Sequence, residues 1–187
     1  MTAPTESLER VVEASLGSPV ADKRRVAGGD ICDAWKVRLE DGRVVFAKAH
    51  GAGGSMFAAE AAGLRWLAEP GALRTPTVLA ATEHVLMLEF IESGGRTAAF
   101  DETFGRGLAA LHTSGAPSFG WAHTGVIASL PQDNASEPDW ATFYGQRRLA
   151  PLVRACVERG RLPGTARAEF ENLVVRNGPD GTRLTLA

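Results

Sequence analysis

Val44-Val45-Phe46-Ala47-Lys48, followed by the run from Met56 through Glu60 to Ala68, decides how this chain reads. The first run is strand-like and finishes on a lysine. The second has helical spacing. Phe57, Glu60, Leu64 and Leu67 fall on one face, because positions three and four apart stack along a helix. An acid among such neighbours is expected to be partly buried, and a buried charge needs a partner. Lys48, at the end of the preceding strand, can supply it.

A strand lysine paired to a helix glutamate is how kinase-like folds place a cation on nucleotide phosphates. V-F-A-K alone is a short match. It leaves open a surface lysine beside an unrelated acid at a helix edge.

The 187 residues suffice for one substantial domain or two small lobes. Hydrophobic residues make up 44% and charged residues 22%, an ordinary globular balance. A net charge of −2 implies no basic face and argues against nucleic acid as a partner. No apolar run approaches the roughly 20 residues of a membrane span. The first six residues lack the basic-then-apolar layout of a secretory signal. The two cysteines, Cys32 and Cys156, are too few for a disulfide framework or a metal cage. They read as reduced thiols of a cytoplasmic protein.

Outward from the lysine strand, Leu8, Val11, Val12 and Leu16 form a helical stripe over 5–16, with Thr5 as cap and Gly17 as stop. Residues 22–27 form a short strand into Gly28-Gly29-Asp30. Trp35, Val37 and Leu39 alternate with Lys36 and Arg38, as a half-buried strand does. Asp41-Gly42 turns that strand into the one ending at Lys48. Two more short strands read at 78–81 and 85–88. Glu92-Ser93-Gly94-Gly95 is the expected lobe boundary, dividing the chain into 1–92 and 93–187. Phe104, Leu108 and Leu111 then share a helical face. Residues 114–136 read as loop. A helix over 138–158 is kinked or restarted at Pro151, and a last helix covers 164–174, before a turn signal at 177–181. Strands with one key helix, then helices, give an α+β protein: a small antiparallel sheet on a partial helical lobe.

Gly28-Gly29-Asp30 lies between strands, which excludes phosphate loops that need a following helix. A glycine turn of this kind can fold over phosphates and donate N–H groups, or be an ordinary hairpin. Leu86 to Ile91 ends the last apolar strand beside the boundary, where extended backbone can read a nucleotide base. Glycine turn, lysine strand, glutamate helix and hinge strand follow in one order.

With these residues in place, the chain resembles the fructosamine kinase (ketosamine-3-kinase) family of the protein-kinase-like superfamily. The resemblance is carried by G-G-D-I-C-D-A-W at 28–35, V-F-A-K at 45–48, M-F-A-A-E-A-A-G-L at 56–64 and L-M-L-E-F-I at 86–91. It continues in G-L-A-A-L-H at 107–112, F-G-W at 119–121 and D-W-A-T-F-Y-G-Q-R-R-L-A-P-L at 139–152. It implies a protein-kinase-like fold and ATP-dependent phosphorylation, at the third hydroxyl, of a sugar attached to an amine, either small or protein-bound. It implies that Lys48 contacts the phosphates, that Glu60 orients it, and that Gly28, Gly29 and Asp30 belong to the phosphate loop. It further implies that Glu89 and Ile91 offer hinge backbone to adenine. Asp139, Trp140, Phe143 and Arg147 would shape the sugar-side cleft, or simply pack a helix at the lobe interface.

The family's H-G-D-L-W-x-G-N loop and later D-P-A, which supply the catalytic base and the Mg2+ ligands, do not occur here. None of the four histidines is followed by Gly-Asp. No catalytic or metal residue is therefore expected. Two explanations stand. Ala166, Phe170, Leu173 and Val174 line a helix that precedes the catalytic loop, and the chain stops short of it. Alternatively, Phe170 to Val174 are a degenerate loop. Either way the chain alone is expected to be inactive. It is also expected to leave apolar surface near 104–111 and 140–153, a basis for self-association. Cys32 would be an oxidisable gate if exposed, and inert if buried. The alternatives are another small-molecule kinase, of aminoglycoside or choline type, or a non-catalytic nucleotide-binding pseudokinase.

Overall fold

The structure, a computed structural model, describes residues 7–27, 32–51, 54–127 and 130–176. The chain gathers into two compact units, Met1–Ser114 and Gly115–Ala187. In the first, helix α1 (Leu8–Leu16) precedes strands β1 (Val20–Arg25), β2 (Asp33–Leu39) and β3 (Val44–Ala49). Helix α2 (Met56–Ala68), strands β4 (Val78–Ala81) and β5 (Val85–Glu89), and helix α3 (Phe100–Thr113) follow. The strands form one antiparallel sheet in the order β1-β2-β3-β5-β4.

The two-residue period of the strands splits the core. Side chains alternate across a sheet, so Val45 and Ala47 of β3 and Val85 and Met87 of β5 face one side. There they meet Val37, Leu39 and Val12 of α1. Phe46, Leu86 and Leu88 face the other side and pack on Phe57 and Ala61 of α2 with Cys32. The sheet thus carries α1 on one face and α2 on the other.

Local chemistry ends the elements. Gly17, at φ 71°, stops α1 and its N–H reaches the Glu13 carbonyl at 2.8 Å. That left-handed geometry suits glycine. Ser7, not Thr5, caps the helix, accepting from the Arg10 N–H. Thr5 lies outside the described residues. Gly42, at φ 86°, turns β2 into β3, and Asp41 accepts from the Arg43 N–H at 3.0 Å and its Nε at 2.7 Å. β1 spans Val20–Arg25 and not 22–27, because Val20 pairs with Leu39 and packs on the α1-side core. Gly107 of α3 admits no larger residue: a Cβ there would stand 2.5 Å from Leu73 Cδ2 and 2.9 Å from the Ala72 carbonyl oxygen.

The second unit begins with a two-stranded hairpin, β6 (Gly125–Ile127) and β7 (Leu130–Gln132). The expected loop therefore contains strands; each is three residues long, and Pro131 in β7 hides the signal. The helix expected over 138–158 is three pieces. Helix α4 (Trp140–Tyr144) runs into a π-helical turn (Gly145–Leu149) and then α5 (Ala150–Glu158). Pro151 sits in the first turn of α5, and the preceding π-helical turn, whose Gly145 carbonyl accepts from the Ala150 N–H, carries the backbone through in helical conformation, so the chain neither stops nor restarts there. Helix α6 (Ala166–Arg176) follows. The stretch 170–174 is helical, as the first of the two explanations requires, and the turn signal at 177–181 lies outside the described residues. Phe104, Trp140 and Leu152 are 48%, 40% and 40% exposed, so the expected apolar surface is present at those positions. Among the described residues no helix is long and apolar enough to cross a membrane.

Phe57 is 1% exposed and anchors α2 to the sheet. Phe57→Ala is expected to cost about 3–5 kcal/mol, read as a lower urea midpoint. A change under about 1 kcal/mol would contradict this packing.

Candidate functional site

Lys48 projects from β3 on the α2 side, directly opposite Ala34 of β2 and Leu86 of β5. Its ammonium donates to both oxygens of Glu60, at 3.1 and 2.9 Å. The two side chains are 28% and 33% exposed. The buried line of α2 runs through Phe57 and Ala61, with half-buried Leu64 beside it. At about 100° per residue, Glu60 and Leu67 lie roughly 60–80° off that line. Glu60 therefore sits at the edge of the contact, where it meets Lys48. Leu67, expected on the same face, is 41% exposed. An ammonium has three N–H donors. Two serve Glu60, which leaves a third for an anion.

The phosphate-loop candidates Gly28, Gly29 and Asp30 lie outside the described residues. The strands that flank them, β1 and β2, are tied together at their facing ends. Val26 N–H donates to the Ala34 carbonyl at 2.9 Å, and Arg25 pairs with Asp33. Cys32 is 7% exposed, and burial pushes its thiol pKa up. That favours the inert reading over an oxidisable gate.

Glu89 is engaged by side chain and backbone alike. Its carboxylate accepts from Arg74 at 2.6 Å and from the Thr77 N–H and hydroxyl at 3.2 and 3.1 Å. Its own N–H donates to the Thr77 carbonyl at 2.8 Å. The Arg74 bond is the chief cause that holds its pKa below the usual glutamate range. Ile91, past the end of β5, is 38% exposed. A residue that the sequence reading missed stands close by. Lys36 of β2 lies 4.0 Å from the Phe90 ring centroid and pairs with Glu92. Its place among alternating polar positions gave no hint of a partner 56 residues away.

In the second unit two of the four sugar-side candidates, Asp139 and Arg147, carry hydrogen bonds or ion pairs, and the other two, Trp140 and Phe143, make ring contacts. Asp139 caps α4, accepting from the Thr142 N–H at 2.8 Å and its hydroxyl at 2.7 Å. Trp140 stacks on Tyr144 with centroids 5.1 Å apart and tilts against Phe119 and Phe143. Phe143 is buried, under the Arg148 guanidinium. Arg147 binds Asp133 at 2.6 Å and Glu137 at 2.5 Å. Arg148 reaches the Asp133 carbonyl at 2.7 Å and the Asn134 side chain. Both arginines lie in the π-helical turn, and both reach the 133–137 segment. F-G-W is explained here too. Gly120, at φ 135°, has the Asn134 carbonyl oxygen 2.7 Å from where a Cβ would stand. Trp121 N–H donates to that same carbonyl at 2.9 Å. Among the described residues no three His, Cys, Asp or Glu converge as metal ligands.

A sequence model of the fructosamine kinase family matches residues 4–177. A probable ketoamine kinase of Synechocystis is 32% identical over 174 residues, covering 88% of this chain and 58% of that protein. A chloroplastic protein-ribulosamine 3-kinase of Arabidopsis thaliana is 34% identical over 131 residues, 66% of this chain and 40% of the relative. A solved Thermobifida fusca protein assigned as a fructosamine-3-kinase superposes with TM-score 0.80 at 30% identity, over 90% of this chain and 60% of that one. The chain spans about half the length of the curated relatives it matches: 58%, 47% and 40% of three of them.

The Asp139 cap has a pH signature. Hydrogen bonds from Thr142, the backbone one foremost, hold its pKa below the usual aspartate value. Its contribution is therefore fully present above the ordinary aspartate pKa and is lost as pH falls through the lowered one. Asp139→Ala is expected to lower the thermal midpoint at pH 7, and the gap to close below about pH 4. A gap constant from pH 7 to 3 would contradict the cap.

Proposed function

Because the chain belongs to the fructosamine kinase family, we propose that residues 1–92 are the nucleotide-binding lobe of a ketosamine kinase and that 93–187 supply part of its helical lobe. The observation that carries this is the two-oxygen ion pair between Lys48 and Glu60. It fixes an ammonium, with one N–H to spare, at the end of a strand, opposite Ala34 of β2. ATP would set its phosphates against Lys48 and the Gly28-Gly29-Asp30 turn, with its base against the backbone from Glu89 to Ile91. Because the Glu89 N–H is already donated to Thr77, base recognition by backbone N–H falls to Ile91. The acceptor is a sugar on an amine, small or protein-bound, in keeping with the ketoamine and ribulosamine kinases among its relatives.

Phosphoryl transfer also needs a base near the accepting hydroxyl and ligands for Mg2+. The 187 residues contain no His-Gly-Asp and no Asp-Pro-Ala, and the described side chains offer no convergent ligand trio for the ion. These residues accordingly bind nucleotide without transferring its phosphate. A purely non-catalytic nucleotide-binding role is the second reading, favoured by the same missing motifs.

The test is a titration of the 187-residue chain with ATP alongside an assay with ATP, Mg2+ and a fructosamine. ATP is expected to bind without turnover. Lys48→Met is expected to weaken binding about tenfold or more, the worth of a charge-assisted hydrogen bond, while costing only about 1 kcal/mol or less of stability. Clear turnover would overturn the inactivity, and undiminished affinity in Lys48→Met would overturn the phosphate placement.

A further inference from the structure

We propose that Lys36 is a positioning residue for nucleotide-base selectivity, acting through its tie to Phe90 and Glu92; this rests on the nucleotide reading above. Lys36 and Lys48 occupy the same face of the sheet. Ala34 stands opposite Lys48, and Lys36 lies two residues further along β2, opposite Phe46. They are diagonal neighbours of like charge, yet their ammonium groups have different partners. Lys48 turns to Glu60 on α2. Lys36 stands over the Phe90 ring at 4.0 Å and pairs with Glu92.

The chemistry of the second tie differs from the first. The Lys36 side chain is 17% exposed and Glu92 is 73% exposed, so the lysine lies beneath its partner. A shielded ammonium over an aromatic face is held by the ring quadrupole as well as by the carboxylate. Phe90, Ile91 and Glu92 lie past β5, where the sheet ladder no longer fixes the backbone. Lys36 holds this segment at both ends, with Ile91 between its two partners. Ile91 is the residue whose backbone would meet a purine edge. Lys36 fixes that backbone, whereas Lys48 meets the phosphates. Losing Lys36 loosens base discrimination and leaves phosphate binding in place.

The experiment titrates ATP, GTP and inorganic tripolyphosphate against the 187-residue chain and its Lys36→Met, Lys36→Arg and Glu92→Gln variants. The parent chain prefers ATP to GTP and binds tripolyphosphate. Lys36→Met is expected to reduce the ATP-to-GTP affinity ratio about fivefold or more, the loss of one well-placed hydrogen bond, with tripolyphosphate affinity unchanged within about twofold. Lys36→Arg, which keeps charge and ring contact, restores the preference. Glu92→Gln, at an exposed position that does not threaten folding, shifts the ratio in the same direction as Lys36→Met by a smaller factor. Parent-like selectivity in Lys36→Met and Glu92→Gln overturns the proposal. So does an equal loss of all three ligands, which would make Lys36 a phosphate contact. A parent chain that binds tripolyphosphate without preferring ATP overturns base reading alone. A parent chain that binds none of the three removes the nucleotide reading itself.

Discussion

An ammonium on a strand meets a carboxylate on a helix only if the helix cannot roll. The Lys48–Glu60 pair depends on that constraint, and the core supplies it. Phe57 and Ala61 of α2 are both 1% exposed and lock onto Leu86, Leu88 and Cys32. A partly exposed ion pair contributes little stability by itself, about 1 kcal/mol or less. The packing therefore places the charges, and the charges do not hold the packing. Such a division suits a site in which the ammonium must also accept an anion.

The two-residue alternation of β3 and β5 does most of the placing. Val45, Ala47, Val85 and Met87 commit one face to α1, which forces Phe46, Lys48, Leu86 and Leu88 onto the other. A one-residue slip of β3 would bury Lys48 against α1 and strand its charge. Register and site are the same fact seen twice. The same alternation sends Lys36 to the face of Lys48.

The antiparallel sheet, α2 and the ion pair were legible because each rests on local period: two in the strands, about 3.6 in the helix. The Asp41-Gly42 turn and the Gly17 stop were legible because they need particular residues. What escaped was set by distant partners. Lys36 meets Phe90 and Glu92 across more than fifty residues. β6 and β7 are too short and too exposed to show alternation. Sequence placed Asp139 and Arg147 as candidates for a cleft, and the structure gives each a bonded role: Asp139 as a helix cap and Arg147 as the tie to Asp133 and Glu137. The family resemblance in 139–152 marked them, and it left cleft residue and helix packing open side by side. Leu67 was placed by helical spacing beside Glu60, and both lie to one side of the buried line, which leaves Leu67 41% exposed.

The central claim is that the Lys48 ammonium, steered by Glu60, meets the phosphates of a nucleotide. A crystal structure of this chain with a non-hydrolysable ATP analogue tests it most directly. The account predicts Lys48 Nζ within hydrogen-bonding distance of a phosphate oxygen while still bonded to Glu60. An analogue bound elsewhere, or bound with Lys48 turned away from its phosphates, would contradict it.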